Sequence, residues 1–237
     1  MPFYPATVSR RARFTRLPIL AGLLAVCALP AAAAAQSFEG QVGVASEYVG
    51  KGLGKSDGEP SVSGSVEVGS GGFYASVFAS TAKLGSGADA EVISAVGYRP
   101  EFAGFEFDLQ VMNRDLPGSN PGYDRNYWEY QADASRKLGP VSTRLRVNYT
   151  PDGAGSTREA WWIELQGGVA LDSKTKATAA VADRLADGGA EYVAWNAGMK
   201  RKLTDNVTLD VRWFDTDGHS FGEAYEGRLV GSLALSF

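Results

Sequence analysis

The chain has 237 residues, 44% of them hydrophobic and 11% aromatic, with 27 Asp and Glu against 23 Lys and Arg for a formal charge of -4. That acidic balance argues against nucleic acid as a partner. One Cys and one His leave too few ligands for a thiolate or imidazole metal centre, and beyond the N-terminus no stretch approaches the ~18 apolar residues of a membrane-spanning helix.

Residues 1–35 carry the three regions of a secretory signal. Arg10, Arg11, Arg13 and Arg16 precede the apolar run Leu17 to Leu29, and Pro30 leads into the small residues Ala31 to Ala35. The apolar core is too short to span a bilayer, so the segment is expected to be cleaved, after Ala33 or Ala35. Ser9-Arg10-Arg11 has the look of a twin-arginine signal, but the chain that follows is of a kind that must cross the inner membrane unfolded. Cys27 follows Val26, a poor fit to a lipoprotein cleavage site, and reads as signal-core filler. The mature chain, 36–237, then has no cysteine and carries 19 Lys and Arg against 27 Asp and Glu, a formal charge of -8. It reads as one domain with no linker.

Twelve alternating segments follow, at about 38–50, 60–69, 72–83, 89–99, 104–114, 126–137, 141–150, 159–171, 175–185, 191–201, 207–216 and 225–237; the count falls to ten if two were split too finely. Each is close to the ~10 residues with which a tilted strand crosses a membrane. Their connections sort by parity. Gly69–Gly72, Pro100–Ala103, Leu138–Pro140, Asp172–Lys174 and Leu203–Asn206 are tight, whereas Lys51–Glu59, Asp115–Arg125, Pro151–Arg158 and Asp217–Ala224 are long and polar. Leu84–Ala88 and Ala186–Ala190 are intermediate. With both termini in the periplasm, every tight turn faces the periplasm and every longer loop faces outward, the asymmetry of an outer-membrane barrel.

Each strand has one apolar and one polar face. Phe105, Phe107, Leu109 and Val111 oppose Glu106, Asp108 and Gln110; Trp161, Ile163, Leu165 and Val169 oppose Trp162, Glu164 and Gln166; Val207, Leu209, Val211 and Trp213 oppose Asp210 and Arg212. Charges of both signs near strand centres place the polar face in a lumen. Trp128, Trp161, Trp195 and Trp213 lie toward strand ends, as interfacial girdles require. The last strand, Arg228 to Phe237, puts Leu229, Gly231, Leu233, Leu235 and Phe237 on one face. A terminal strand of this kind must pair with the first to leave no open edge in lipid. The fold expected is all-β: a single antiparallel up-and-down transmembrane β-barrel of about 12 strands behind a cleaved signal peptide. Leu233, Leu235 and Phe237 have the form of a C-terminal assembly signal.

The segment Ser46-Glu-Tyr-Val-Gly-Lys-Gly-Leu-Gly-Lys-Ser-Asp-Gly-Glu-Pro-Ser-Val-Ser-Gly64, followed by Gly72-Phe-Tyr-Ala-Ser76, resembles the start of the TorF family of porins. The shared pattern is Ser-x-Tyr, a basic residue and Gly, Ser/Thr-Asp-Gly-x-Pro, then a second strand and Gly-Phe-Tyr. Beyond these roughly 30 residues only length, strand rhythm, Asp215-Thr-Asp217 and the last strand agree. Gly50 stands where that pattern has an aromatic, and Lys55 where it has Gln or Ser. The resemblance implies an outer-membrane, porin-like protein of proteobacterial type and carries over no site residues.

Chemical motifs are sparse. Gly218-His-Ser-Phe-Gly222 has the Gly-x-Ser-x-Gly form of a nucleophile elbow, but that motif needs a strand-to-helix turn and a separate His, and the one histidine lies inside it. Asp215-Thr-Asp-Gly218 begins like a calcium loop without the later bidentate Glu and reads as a solvated turn. Neither an enzyme nor a cofactor is expected. Function then rests with the lumen, where Glu106, Asp108, Glu129, Asp133, Arg144, Arg146, Glu164, Asp210 and Arg212 are the candidate pore-lining residues. Arg144 and Arg146, with Glu129, Asp133 and Glu164 on flanking strands, would set a transverse field; the plainer reading is that such neighbours pair and fill the space. The expectation is a narrow passive pore for small polar or ionic solutes in the bacterial outer membrane. Its partners are outer-membrane lipid, the barrel-insertion machinery acting on the C-terminal strand, and small polar solutes. The alternative is a plugged structural or adhesive barrel whose extracellular loops bind a partner.

Overall fold

The computed structural model describes residues 36–237; residues 1–35, where a cleaved signal and Cys27 as its core filler were expected, lie outside the described residues. Twelve long strands follow in chain order: β1 Gln36–Ala45, β2 Ser61–Ser70, β3 Phe73–Thr81, β4 Ala90–Tyr98, β5 Phe105–Asp115, β6 Asn126–Leu138, β7 Val141–Thr150, β8 Ala160–Ala170, β9 Thr175–Ala186, β10 Tyr192–Lys202, β11 Val207–Thr216 and β12 Arg228–Ser236. Each pairs antiparallel with its neighbours in sequence, and β1 pairs with β12 from Gln41↔Ser236 to Ala45↔Ser232. The sheet is therefore a closed up-and-down barrel with no free edge.

Closure reaches the last residue. The Gly40 and Phe237 amides each donate to the other's carbonyl at 2.9 Å. The Phe237 ring lies against the Gly40 backbone so closely that a Cβ there would sit 2.3 Å from the ring. An aromatic covering a strand glycine in this way also pins the register.

Strand boundaries agree with the alternation in the sequence to within two residues, except at two places. The first segment was expected to run to residue 50; β1 ends at Ala45, and the chain then turns inward instead of continuing up the wall. The last was expected from 225; two short 3₁₀ turns, His219–Phe221 and Glu223–Tyr225, occupy the loop, and β12 starts at Arg228. The tight connections and both ends of the described chain share one rim, and the longer loops share the other.

Alternation fixes which face meets lipid. Val42, Val62, Val77, Leu109, Leu165, Val181, Met199, Val211 and Leu233 are all exposed on the outer wall. Trp128, Trp161, Trp195 and Trp213 form an exposed aromatic belt toward the loop-rich rim. Phe38, Phe73, Tyr98, Phe105 and Phe237 form a second belt toward the turn-rich rim. A sheet apolar on its outer face, belted at both rims and closed on itself, is the surface of a barrel standing in a membrane.

Candidate functional site

The lumen is organised by the segment that follows β1. After Ala45 the chain folds into the barrel mouth, makes a two-residue ladder between Val49–Gly50 and Leu53–Gly54, and returns to the wall at Ser61. Lys51 and Gly52 at the turn have φ of 51° and 80°. Positive φ at both central residues is the type I′ geometry that matches strand twist and calls for glycine. At Gly52 space matters as well, since a Cβ would lie 2.7 Å from the Ala194 Cβ on the far wall.

Two lysines anchor this first loop to the wall. The Lys51 ammonium donates to Glu129 on β6, and the Lys55 ammonium bridges both oxygens of Glu91 on β4 at 2.7 and 2.9 Å. On β5, between those strands, Arg114 donates to Glu91 at 2.9 Å and to Glu129 at 3.0 Å. Both carboxylates are fully buried, a cost that pairing and further hydrogen bonds must offset. Those bonds are present: Tyr48 donates to Glu91 at 2.5 Å, and Asn148 and Thr150 donate to Glu129 at 2.9 and 3.3 Å. Burial holds the Lys51 ammonium down to about 8 despite the pull of Glu129.

Gly50 and Lys55 fit one another. A Cβ on Gly50 would lie 2.8 Å from the Lys55 side chain, so an aromatic there would displace the lysine. Apolar contact completes the seat. Leu53 packs against a patch on the inner wall formed by Trp162, Ala182, Tyr192 and Ala194, and the Tyr192 hydroxyl donates to the Lys51 carbonyl at 2.8 Å. Tyr225, from the last loop, stands edge-on to Tyr192 at 5.3 Å. Arg228 pairs with Glu47 and donates to the Glu223 carbonyl, tying the last loop to the base of the first.

Toward the periplasmic rim the lumen is a ladder of ion pairs. Arg146 faces Asp133 and Glu164 in register and binds Asp133 through two bonds of 2.8 and 2.6 Å. Arg144 takes Glu164 at 2.6 Å. Farther round, Tyr74 donates to Asp108 at 2.5 Å, and Arg99 stacks 3.8 Å over the Tyr74 ring while pairing with Glu67 and Asp108. On the other wall Arg212 reaches Asn196, Thr178 and Asp210.

All nine residues singled out from sequence stand on inward-facing positions, but they do not form one constellation. Glu129 belongs to the upper cluster with Lys51 and Arg114. Asp133, Arg144, Arg146 and Glu164 pair side by side on adjacent strands, so no acidic wall faces a basic one there and the expected transverse field is cancelled locally. Asp108 belongs with Tyr74 and Arg99, Asp210 with Arg212, and Glu106 stands near the periplasmic rim. Sequence reading missed Lys51, Lys55, Glu91 and Arg114. The glycine-spaced lysines of Gly50-Lys-Gly-Leu-Gly-Lys55 and the inward aromatics Trp162 and Tyr192 were the available signal.

Space remains on both sides of the first loop. A vestibule of about 700 Å³ opens above it, between Leu53, Lys55, Tyr123, Tyr225 and Arg228. A cavity of about 270 Å³ lies below, lined by Lys51, Lys55, Arg114, Arg146, Asn148 and Glu164 among others. Lys55 borders both. The Gly-x-Ser-x-Gly segment lies in a 3₁₀ turn of the last loop, where the His219 ring bonds Asp215 at 2.8 Å. Asp217 accepts from the Val193 amide at 2.8 Å, so this loop is held by protein groups. Among the described residues no group of three or more His, Cys, Asp or Glu is placed to hold a metal ion.

Comparison with solved structures finds the same fold in outer-membrane proteins. The KdgM porin matches with a TM-score of 0.57 at 10% identity, over 86% of this chain and 99% of that one. The NanC porin matches at 0.58 and 9% identity, over 85% and 99%. An outer membrane channel from Pseudomonas putida F1 matches at 0.52 and 14% identity, over 84% and 95%. No curated protein matches by sequence. The barrel is thus one of the bacterial outer membrane, and the chain, matched over residues 30–232, belongs to the family described as "Bacterial protein of unknown function (Gcw_chp)".

Proposed function

We propose that this protein is a narrow passive pore for small polar or ionic solutes, of the porin kind that the TorF-like segment Ser46–Gly64 implies. The observation that carries the reading is the lumen itself, charged along its length and holding a cavity on either side of the first loop, with Lys55 bordering both. A barrel filled only for stability has no need of polar cavities above and below an inserted loop. The inward-facing charges from Glu106 to Arg212 are then the pore lining. Residues 1–35 serve export, and Leu233, Leu235 and Phe237 serve recognition by the insertion machinery. The similar KdgM porin has been solved in complex with oligogalacturonate, a polar, charged solute; for this chain only that general class is proposed.

Single-channel recording in planar bilayers tests the proposal. Protein purified from outer membranes should give discrete conductance steps, small because the loop narrows the mouth. Folded protein, verified by its heat-dependent gel mobility, with no conductance above background would instead support a plugged barrel whose outer loops bind a partner.

A further inference from the structure

We propose that Lys51 and Lys55, brought into the lumen by the first loop, give the pore a preference for anions and are its specificity-determining residues. The inference rests on the pore reading above. Between the vestibule and the inner cavity the inward-facing charges are Lys51, Lys55, Arg114, Arg184 and Arg228 against Glu47, Glu91 and Glu129. Arg184 lies between Trp162 and Tyr192 in register and donates to the Ala190 carbonyl, so it adds a cation and no carboxylate. Five cations face three carboxylates. The Arg228–Glu47 pair neutralises itself, and on the wall Arg114 and Arg184 balance Glu91 and Glu129, so the excess of two equals Lys51 and Lys55.

Geometry puts this excess where solutes must pass. Lys55 borders both cavities, and the Lys51 and Lys55 side chains remain 29% and 18% exposed, so passing ions meet them. Below this level the charges neutralise one another: Arg146 with Asp133, Arg144 with Glu164, Arg212 with Asp210. The acidic groups of the vestibule, Asp57, Glu223 and Glu226, stand at the open rim. Charges in a narrow, poorly screened passage act on a permeating ion far more strongly than charges facing bulk electrolyte. The constriction therefore sets the sign, although the chain as a whole is acidic.

The test is the reversal potential of single channels under a salt gradient, for the wild type and two designed variants. The wild type should favour anions. Lys51→Met with Lys55→Met leaves three cations against three carboxylates, and the preference should be lost. Lys51→Gln with Glu129→Gln removes one charge of each sign, keeps the excess of two, and should keep the wild-type preference. Should the double methionine variant fail to fold, Lys55→Met alone halves the excess and should weaken the preference. Folded lysine variants with the wild-type reversal potential, or a wild type that favours cations, would overturn the inference while leaving the pore reading intact. Absence of conductance in the wild type and every folded variant would overturn both.

Discussion

Replacing Arg146 with Gln should destabilise the barrel by about 3 kcal/mol, the lower end of the range for breaking a buried ion pair. Arg146 gives Asp133 two bonds, at 2.8 and 2.6 Å, and the Asp133 side chain is only 8% exposed. Gln can return one neutral bond, and the nearest remaining cation, Arg144, stands 4.0 Å away with most of its charge committed to Glu164. An unpaired carboxylate is thus left in a poorly hydrated wall, which sets the magnitude. The internal control is Arg158–Asp187 in the outer loops, with side chains 70% and 60% exposed. Exposed pairs of that kind contribute about 0–1 kcal/mol, so Arg158→Gln should be near neutral. Urea unfolding in lipid vesicles, read by tryptophan fluorescence and gel mobility, measures both. Adding Asp133→Asn to Arg146→Gln should recover most of the loss, because no unpaired carboxylate is left at that position. Equal effects of the two arginine substitutions, or no recovery in the double variant, would refute the claim that these charges stabilise the wall by pairing.

Deleting Phe237, or replacing it with Asp, should leave the chain unfolded and degraded in the periplasm; wild-type levels in outer-membrane fractions would contradict the closure seen at Gly40. Mass spectrometry of the envelope form should show a chain beginning near Gln36, with no lipid attached. Gly52→Val demands a strained positive φ and sets a Cβ 2.7 Å from that of Ala194, so the first loop should lift and single-channel conductance should rise. Anion preference should fade as pH is raised from 7 through 9. Lys51, facing Glu129, Arg114 and Lys55, is protonated below about 8 and neutral above it, and the excess at the constriction falls from two charges to one. Below pH 7 the same lysine should produce no further change.

The wall of this barrel was legible because lipid makes a uniform demand on every strand. Leu229, Leu233 and Leu235 on one face, with small and polar groups on the other, can be read from one strand without knowing its neighbours. Loop lengths sorting by parity supplied the topology, and alternation placed all nine candidate charges inward. The first loop was not legible in the same way. Its inward turn at Ala45 follows no periodicity and depends on partners far along the chain: Glu91 for Lys55, Glu129 for Lys51, Tyr192 for the Lys51 carbonyl. A single sequence carries no record of those pairings. Arg144 and Arg146 illustrate the same limit, since alternation put them in the lumen but could not say that Asp133 and Glu164 would neutralise them on the same wall. Trp162 and Tyr192 were the nearest thing to a clue: large aromatics on an otherwise polar face mark something docked against it, here Leu53.

The bond between Gly40 and Phe237 bears on when this protein can form as well as on what holds it shut. Eleven of its ladders join strands adjacent in the chain and can grow as successive hairpins; the remaining one joins the two ends. Bringing ends so far apart together carries an entropy cost of roughly 5 kcal/mol, which hairpin growth can defray only by first holding the intervening strands in a curved sheet. Because that contact uses Phe237, a chain lacking this residue keeps nearly all its hairpins yet loses the group that completes the circle. Until closure the sheet keeps two unpaired strand edges, β1 and β12, which can template pairing with another chain.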